Sequence, residues 1–542
     1  MSVARASSSD ERAQWLTPRF EAAAYAILGV VYLVSRLSLV WRLPWYPDET
    51  VFASYTLNGF EHVDARFQAL ANGQQPLLEW LGMAWMSIGL EPVTALRMVS
   101  LTACLIAFAL VAFLGYRLGG HETALAAAGV FVIVPFTVPY GVVGLYDPLA
   151  AALVMAALVL QIELARRPNL GQALLLGIVL AGAVLTKLTA NVALYLLPLS
   201  LLAFDWRPIE RGRRLLAWIG AVGLSLLLAW LGSQVIQLSD LADDLSATRQ
   251  ILAKHSLSEG VSNLTYWIRE NFSSYGWAFV AYLSLALTFA ALVGAVVAVR
   301  RNALGLIVIG WVVLPFVALV LLAEFPAIRW LFIVAPPAVV LAGFGVVMIV
   351  RAAASMSVAW AIVAAAVLLV PATVHSAWIL ASPATAWYPA RDGSDFTEGQ
   401  AWANALERLR AFVGARQVSV ALAGYGAQYP QLALRHDHNI TLVDAATQDL
   451  SASLYALQTG PSLPVRQDGL SWREVARFHR LRSPLDTVLF QRGVTYNGAF
   501  ATNADELRAA IGGSDADYDA FVAAHPAVKT WLEALQRAEQ PQ

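Results

Sequence analysis

The stretch ALRMVSLTACLIAFALVAFLGYRLGGHETALAAAGVFVIVPFTVPY (95–140) decides the fold class, because it holds two long apolar runs around a short polar connection. Each run, 95–116 and 123–140, is long enough to cross ~30 Å of hydrocarbon as a helix, which takes about 17–25 residues. Arg117 lies in the connection, where a cation is typical of a cytoplasmic turn. The stretch therefore predicts two consecutive membrane-spanning helices.

Runs of the same kind recur along the chain and predict about eleven membrane helices. Their approximate bounds are 22–41, 95–116, 123–140, 148–165, 170–187, 189–205, 215–237, 276–299, 303–323, 330–350 and 355–379. The composition agrees, since 58% of the 542 residues are hydrophobic and 13% are charged, whereas soluble chains have roughly 45–50% apolar and about 25% charged residues. The net charge of −1 gives no reason to propose a nucleic-acid partner. The single cysteine, Cys104, allows no intramolecular disulfide.

The arginines predict the orientation, because they fall on every second connection between the apolar runs. The connections assigned to the cytoplasm hold Arg5, Arg12, Arg19, Arg117, Arg166, Arg167, Arg207, Arg211, Arg213, Arg214, Arg300, Arg301 and Arg351. The other connections are rich in acids: Asp48, Glu49, Glu61, Asp64, Asp147 and Glu324. By the positive-inside bias the N-terminus is expected in the cytoplasm and the C-terminus outside. The first apolar run is expected to be an uncleaved signal anchor.

Three regions follow: a cytoplasmic tail (1–21), a membrane domain (22–380) with long outer loops at 42–94 and 238–275, and an extracytoplasmic domain (381–542). The 238–275 loop contains LSDLADDLSATRQILAKH, whose apolar spacing predicts a helix along the interface. In the last region we predict strands at 418–423, 440–445 and 487–491, and helices at 398–413, 471–481, 503–511 and 527–538. The expected fold is an all-α polytopic membrane domain with a small C-terminal α/β domain.

Acidic residues at the start of two outer segments are the first candidates for chemistry. Asp48 and Glu49 follow Pro47, so they are expected in the first turn of a helix, where carboxylates are favoured by the helix dipole. Asp147 lies in a very short outer connection, where it fits a helix N-cap. Each acid taken alone is explained equally well by helix stability and by function.

Two cations on the same side favour the functional interpretation. Lys187 joins two apolar helices with almost no loop, against the positive-inside bias, and an ionisable residue at membrane depth usually faces a cavity and a partner. The alternative is a lysine that snorkels to the headgroups. Arg329 lies in a tight outer connection, where it is either functional or paired with Glu324. Such a group of charges could bind a lipid phosphate and use a carboxylate to remove a proton from a hydroxyl.

The order of these elements resembles that of a known superfamily. The elements are Asp48-Glu49, QPLLEW (75–80), ALRMVS (95–100), Asp147, GAVLTK (182–187) and RWL (329–331). Over roughly residues 20–350 the chain resembles the GT-C membrane glycosyltransferases, and within them the group of protein O-mannosyltransferases and lipid A aminoarabinose transferases. The resemblance implies an inverting enzyme of the bacterial plasma membrane that takes its sugar from a polyprenyl phosphate.

The resemblance also implies roles for individual residues. Asp48 matches the family's general base, and Asp147 matches an acid in the same outer cavity. Lys187 and Arg329 match cations that contact the donor phosphate. Further residues expected at the site are Glu49 beside the base, Arg97 as another phosphate ligand, and Tyr46, Tyr55, Gln75 and Tyr146 as the lining of the donor and acceptor pocket.

One motif departs from the family pattern. Aminoarabinose transferases have Glu-Lys-Pro-Pro where this chain has Gln74-Gln75-Pro76-Leu77, which argues against an aminoarabinose donor and leaves the sugar open. The acceptor, whether glycan, lipid or protein, is open as well. No cofactor is required, because two cations could suffice to stabilise a departing phosphate, and dependence on a divalent metal is left open. We expect no metal site, since the metal-like cluster His436-Asp437-His438 fits a solvated turn.

Two other functions are also compatible with a chain that has many membrane helices and charged residues near the membrane. A transporter or flippase for a lipid-linked or anionic substrate would more often show paired half-repeats and charges near the midplane, whereas these charges gather at the outer boundary. A non-catalytic subunit that anchors the outer domain would not need Asp48, Asp147 and Lys187 together.

Overall fold

The chain forms two compact units in a computed structural model. The structure describes residues 18–206, 210–243, 262–323, 326–389, 392–424, 428–445, 450, 452–459, 466–467, 470–479 and 486–539. The first unit contains the residues up to Leu43 and Tyr55–Pro383, and the second contains Pro44–Ser54 and Ala384–Gln542. The short segment Pro44–Ser54 therefore belongs with the C-terminal region, although it comes directly after the first helix.

Helices build the first unit, apart from the start of α2, which belongs to the second. The α-helices are Pro18–Arg42 (α1), Pro47–Glu61 (α2), Leu77–Met86 (α3), Pro92–Ile133 (α4), Thr137–Tyr140 (α5), Tyr146–Arg166 (α6), Leu170–Thr186 (α7), Val192–Tyr195 (α8), Arg211–Gln234 (α9), Leu264–Trp267 (α10), Ser273–Leu283 (α11), Leu285–Arg301 (α12), Ala303–Leu322 (α13), Ala335–Ala354 (α14) and Val358–Ala381 (α15). Short 3₁₀ segments occur at Val63–Asn72, Leu188–Asn191, Leu197–Ala203, Val235–Leu238 and Ile328–Ile333, and a π-helical turn at Ile268–Phe272.

Seven helices among the described residues are long and apolar enough to cross a membrane, or eight if the pair Arg269–Leu283 and Leu285–Arg301, bent by 99°, counts as one span. Two shorter apolar helices, Leu170–Thr186 and Leu188–Ala203, add to these. Large apolar side chains stay exposed on several of the spans; Val34 is 65% and Leu216 70% exposed. Lipid as the surrounding solvent explains such exposure, because lipid tails are as apolar as these side chains.

The 42-residue helix α4 holds the run 95–116 and the run 123–140 as far as Ile133. It folds back at Gly119 and Gly120, whose backbone angles are not helical, and Gly120 has a φ of 79° that a side chain would disfavour. The halves pack closely, since a Cβ on Gly115 would lie 3.1 Å from the Cα of Ala124. With α4 divided there, each of the eleven predicted runs coincides with helical structure. The predicted fold class is confirmed; the orientation across the membrane stays a prediction.

A mixed sheet forms the centre of the second unit. Its strands are Val418–Gly424 (β1), Ile440–Asp444 (β2), Tyr455–Thr459 (β3), Arg466–Gln467 (β4), Leu470–Phe478 (β5), Thr487–Tyr496 (β6) and Ala499–Ala501 (β7). The order is β2-β1-β3-β6-β5-β4 with β7 beside β6; β1 is parallel to β2 and β3, and the other pairs are antiparallel. The helices are Asp392–Val413 (α16), Gln428–Ala433 (α17), Ala504–Ile511 (α18), Asp515–Ala524 (α19) and Pro526–Glu539 (α20). The small C-terminal α/β domain is thus confirmed.

One predicted helix of this unit is wrong. Residues 471–481 were expected to be helical, but Leu470–Phe478 is a strand paired with β6. The pairing has an irregularity between Glu474 and Ala476, and an extra residue there breaks the two-residue alternation that identifies a strand. The other predicted strands and helices of this domain are confirmed. Most of the interfacial helix predicted in 238–275 lies outside the described residues.

Candidate functional site

Three charged side chains meet at the start of α6. Asp147 lies in the first turn of this helix and is 1% exposed. The Nζ of Lys187, at the end of α7, donates a hydrogen bond to Asp147 Oδ1 at 2.6 Å. The Nε of Arg329, in the 3₁₀ segment Ile328–Ile333, lies 3.9 Å from Asp147 Oδ2. The structure thus brings together three residues that the sequence placed in separate outer connections.

This cluster places two cations, Lys187 and Arg329, around one carboxylate. Lys187 is buried, and its ammonium group also lies 5.8 Å from the centre of the Trp330 ring. A buried charge is costly unless it is paired and hydrogen-bonded. Two cations held close together are suited to binding a phosphate group.

A second polar pair adjoins Asp147 in the chain, and one of its members, Glu79, had no role in the sequence analysis. The hydroxyl of Tyr146 donates a hydrogen bond to Oε1 of Glu79 in α3, and both residues are almost fully buried. Burial raises the pKa of Glu79 to about 8, so this carboxyl group is mostly protonated at neutral pH. The available signal was an acid inside the apolar helix LLEWLGMAWM (77–86). Tyr146 was expected in the pocket lining.

Gln75 and Tyr55 are further predicted lining residues of the first unit. Gln75 is fully buried, and neither atom of its amide group has a hydrogen-bond partner within the described part of the chain. The hydroxyl of Tyr55 accepts a hydrogen bond from the amide of Asn72. Burial, with a contribution from the charge of Glu79, raises the pKa of Tyr55. Tyr55 is therefore an electrostatic neighbour of the Glu79–Tyr146 pair.

Asp48 and Glu49 lie in the first turn of α2, as predicted, within the second unit. Glu49 is fully buried, and its Oε2 accepts a hydrogen bond from the backbone N–H of Tyr46 at 3.1 Å. Glu49 thus stabilises the entry to this helix. The hydroxyl of Tyr46 donates to Oδ2 of Asp395 at 3.0 Å. Asp48 itself is half-buried. Its place beside the donor phosphate stays a prediction.

Arg97 is buried at the end of α1. Its Nη1 donates hydrogen bonds to the carbonyl oxygens of Val40 at 2.7 Å and Leu43 at 2.9 Å. The last carbonyls of a helix lack partners within it, so Arg97 completes the C-terminus of α1. These contacts explain its burial, and a role in phosphate binding stays a prediction.

A cavity of about 560 Å³ lies at the other end of α6. It is lined by Arg117, Glu163, Arg166, Arg167, Asp205 and Arg214. At 1.5 Å per residue, α6 separates it from Asp147 by roughly 30 Å. Its arginines come from connections predicted to be cytoplasmic, so it is distinct from the Asp147 cluster. No group of His, Cys, Asp and Glu that could hold a metal ion occurs among the residues that the structure describes.

The comparisons with known proteins concern the fold. No protein-family profile matches the chain, and no curated protein matches it either. Among solved structures, the chain is similar to ArnT from Cupriavidus metallidurans bound to undecaprenyl phosphate, with a TM-score of 0.52, 15% identity, and coverage of 88% of this chain and 98% of that one. It is also similar to the Archaeoglobus fulgidus oligosaccharyltransferase in its apo form, with a TM-score of 0.51, 11% identity, and coverage of 82% and 70%.

These similarities define the class of protein: a polytopic membrane protein with the fold of membrane glycosyltransferases. More particularly, the chain has the GT-C fold, which both solved structures share. The resemblance seen in the sequence over residues 20–350 is thereby confirmed at the level of the fold.

Proposed function

We propose that the chain is an inverting glycosyltransferase of a bacterial plasma membrane. It would move a sugar from a polyprenyl phosphate to a hydroxyl group of an extracytoplasmic glycan, lipid or protein. The observation that carries this proposal is the cluster of Lys187 and Arg329 around the buried Asp147. Support also comes from the similar fold of ArnT, which was crystallised with undecaprenyl phosphate.

The cations would hold the donor phosphate and assist its departure. In the reaction, the acceptor oxygen forms a bond to the anomeric carbon while the bond from that carbon to the phosphate oxygen breaks. The electron pair of the broken bond stays on the phosphate, so negative charge grows there, and preorganised cations stabilise such charge. Asp147 would keep Lys187 in place through their hydrogen bond. No acid is needed to protonate the leaving group, because a phosphate is already a stable anion.

Asp48 would act as the general base. It would accept the proton of the acceptor hydroxyl as the new bond forms, which balances the reaction: one proton moves to the carboxylate and polyprenyl phosphate is released. Attack from the face opposite the phosphate inverts the configuration. Glu49 would support the base, and Arg97 is a further phosphate ligand in this proposal.

The lining residues suit a neutral polar sugar. Gln75 supplies an amide with free hydrogen-bonding capacity, and Tyr55 and Tyr146 supply hydroxyl groups. Glu79, protonated at neutral pH, adds no second negative charge near the proposed phosphate site. Such a pocket would recognise sugar hydroxyls by hydrogen bonds.

The experiment is a turnover assay with the purified protein in vesicles. Radiolabelled polyprenyl-phosphate hexoses and pentoses serve as donors, and membranes from a strain that lacks the protein supply the acceptor. We expect sugar transfer and release of polyprenyl phosphate. Asp48→Asn keeps the shape of the side chain but cannot take up the proton, so turnover should fall by roughly 10²–10⁴-fold while donor binding persists. Movement of intact donor across the vesicle membrane without cleavage would contradict the proposal and favour a flippase.

A further inference from the structure

We propose that the C-terminal region positions the catalytic base, with Tyr46 and Asp395 as the positioning residues. This inference rests on the proposed function, in which Asp48 is that base. The segment Pro44–Ser54, which contains Asp48, forms one compact unit with Ala384–Gln542. The segment therefore packs with residues more than three hundred positions further along the chain.

A partly buried hydrogen bond anchors the segment two residues before Asp48. Tyr46 is 2% exposed, and its hydroxyl donates to Oδ2 of Asp395 in α16 at 3.0 Å. Its ring meets the ring of Phe396 edge-on, with the centroids 5.1 Å apart. Phe396 in turn stacks on Tyr388 at 4.5 Å, and both are fully buried. The position of the Tyr46 ring is thus fixed by one polar and one aromatic contact.

The backbone of Trp45, the residue before Tyr46, is also in close contact with the rest of the second unit. Gly399 in α16 lies so near to it that an added Cβ would be 2.1 Å from the carbonyl oxygen of Trp45 and 2.6 Å from its nitrogen. The Trp45 ring lies 4.7 Å from the ring of Tyr429 and packs against the core of the second unit. The segment is therefore fixed at two consecutive residues, and α2 begins immediately after them.

This arrangement gives the C-terminal region a role in the reaction rate. The backbone N–H of Tyr46 donates to Glu49, so the anchored residue also closes the first turn of α2 around Asp48. A general base must lie within hydrogen-bond reach of the proton that it removes, and a displacement of about 1 Å can cost roughly 10²-fold in rate. Loosening Tyr46 would therefore lower kcat without weakening donor binding.

The test compares Tyr46→Phe, Asp395→Ala and Asp395→Asn in the vesicle assay. Tyr46→Phe and Asp395→Ala remove the hydrogen bond and should each lower kcat by roughly ten- to a hundredfold, with donor affinity unchanged. Asp395→Asn keeps an oxygen that accepts from Tyr46 and should recover most of the loss. The matched control is Asp437→Ala, which removes an ion pair with Arg410 in the same unit and should leave kcat unchanged.

Combination with Asp48→Asn separates this inference from the proposed function. If Tyr46 acts through Asp48, adding Tyr46→Phe to Asp48→Asn should cause no further loss of kcat. A further loss as large as in the wild-type background would overturn the positioning role, and so would normal kcat in both Tyr46→Phe and Asp395→Ala. Normal turnover in Asp48→Asn alone would instead refute the base assignment.

Discussion

Lys187 lies at the end of α7, with its ammonium group 2.6 Å from the buried carboxylate of Asp147. In this position it is expected to bind the donor phosphate, so its replacement should weaken donor binding. A charge-assisted hydrogen bond to phosphate contributes about 1.5–3 kcal/mol, so Lys187→Ala should weaken donor binding by roughly one to two decades. Arg329→Ala should have a similar effect. The measurement is equilibrium binding of a polyprenyl phosphate to purified protein whose folding has been checked by thermal unfolding.

The control for these variants is Arg351→Ala. Arg351 pairs with Glu122 at 3.0 Å and lies in the last turn of α14, roughly 24 Å from the start of that helix. Its loss should not change donor affinity. Unchanged affinity in both Lys187→Ala and Arg329→Ala would contradict the proposed phosphate site and direct attention to Arg97.

Glu79 is expected to make stability depend on pH. Its pKa is raised from 4.5 to about 8 by burial, so between these values the folded protein retains a proton that the unfolded chain has lost. The stabilisation is fully present below pH 4.5 and is lost as the pH rises through about 8. Thermal unfolding in detergent at several pH values should show this decline, and Glu79→Gln, which mimics the protonated form, should remove it. The control is Glu61→Gln, because Glu61 is exposed. An identical pH profile of unfolding in wild type and Glu79→Gln would contradict the role of Glu79 in the pH dependence.

Among the elements, α12 and α14 approach each other closely at two glycines. A Cβ on Gly345 would lie 1.8 Å from the carbonyl oxygen of Ala290, and one on Gly294 would lie 2.1 Å from that of Leu341. Small residues let membrane helices approach in this way. Gly345→Leu should separate the helices and lower the temperature of thermal unfolding markedly, whereas Gly276→Ala, with open space around it, should not. Equal stability of the two variants would show that the contact is not tight.

The sequence predicted which residues lie at the ends of helices better than it predicted which residues from other elements they contact. Asp147 at the start of α6 and Lys187 at the end of α7 followed from charge and apolar length, and the structure pairs them. For Glu79 the sequence showed only an acid inside an apolar helix, since its role depends on Tyr146 from another helix. The strand β5 was missed because its irregular pairing hides the alternation of side chains. Tertiary contacts, which local pattern does not encode, account for both cases.

At the scale of the whole molecule, the arginine pattern predicts that residues 380–542 lie outside the cytoplasm. A reporter enzyme that works only after export should be active when fused at residue 385, and a cytoplasmic reporter at the same place should be inactive. The matched fusion is at residue 302, after Arg300 and Arg301, where the activities should be reversed. An active cytoplasmic reporter at 385 would refute the orientation.

The division into two units predicts what the C-terminal region supplies. A chain that ends at Pro383 keeps Asp147, Lys187 and Arg329 with all their mutual contacts, because these residues belong to the first unit. It loses Asp395 and Gly399, which hold Tyr46 and Trp45. Donor binding should therefore persist, while turnover should fall by roughly 10²-fold or more, as expected when a general base is lost.

Binding and turnover of the truncated chain are measured in the same vesicles as for the full chain, after thermal unfolding has shown that it is folded. The control adds residues 384–542 as a separate chain. This chain restores the partners of Pro44–Ser54 without a covalent link, so part of the turnover should be recovered. Loss of donor binding in the folded, truncated chain would mean that the C-terminal region helps to bind the donor. Normal turnover would mean that Asp48 needs no support from it, since the buried contacts of Tyr46 and Trp45 would then be dispensable for the reaction.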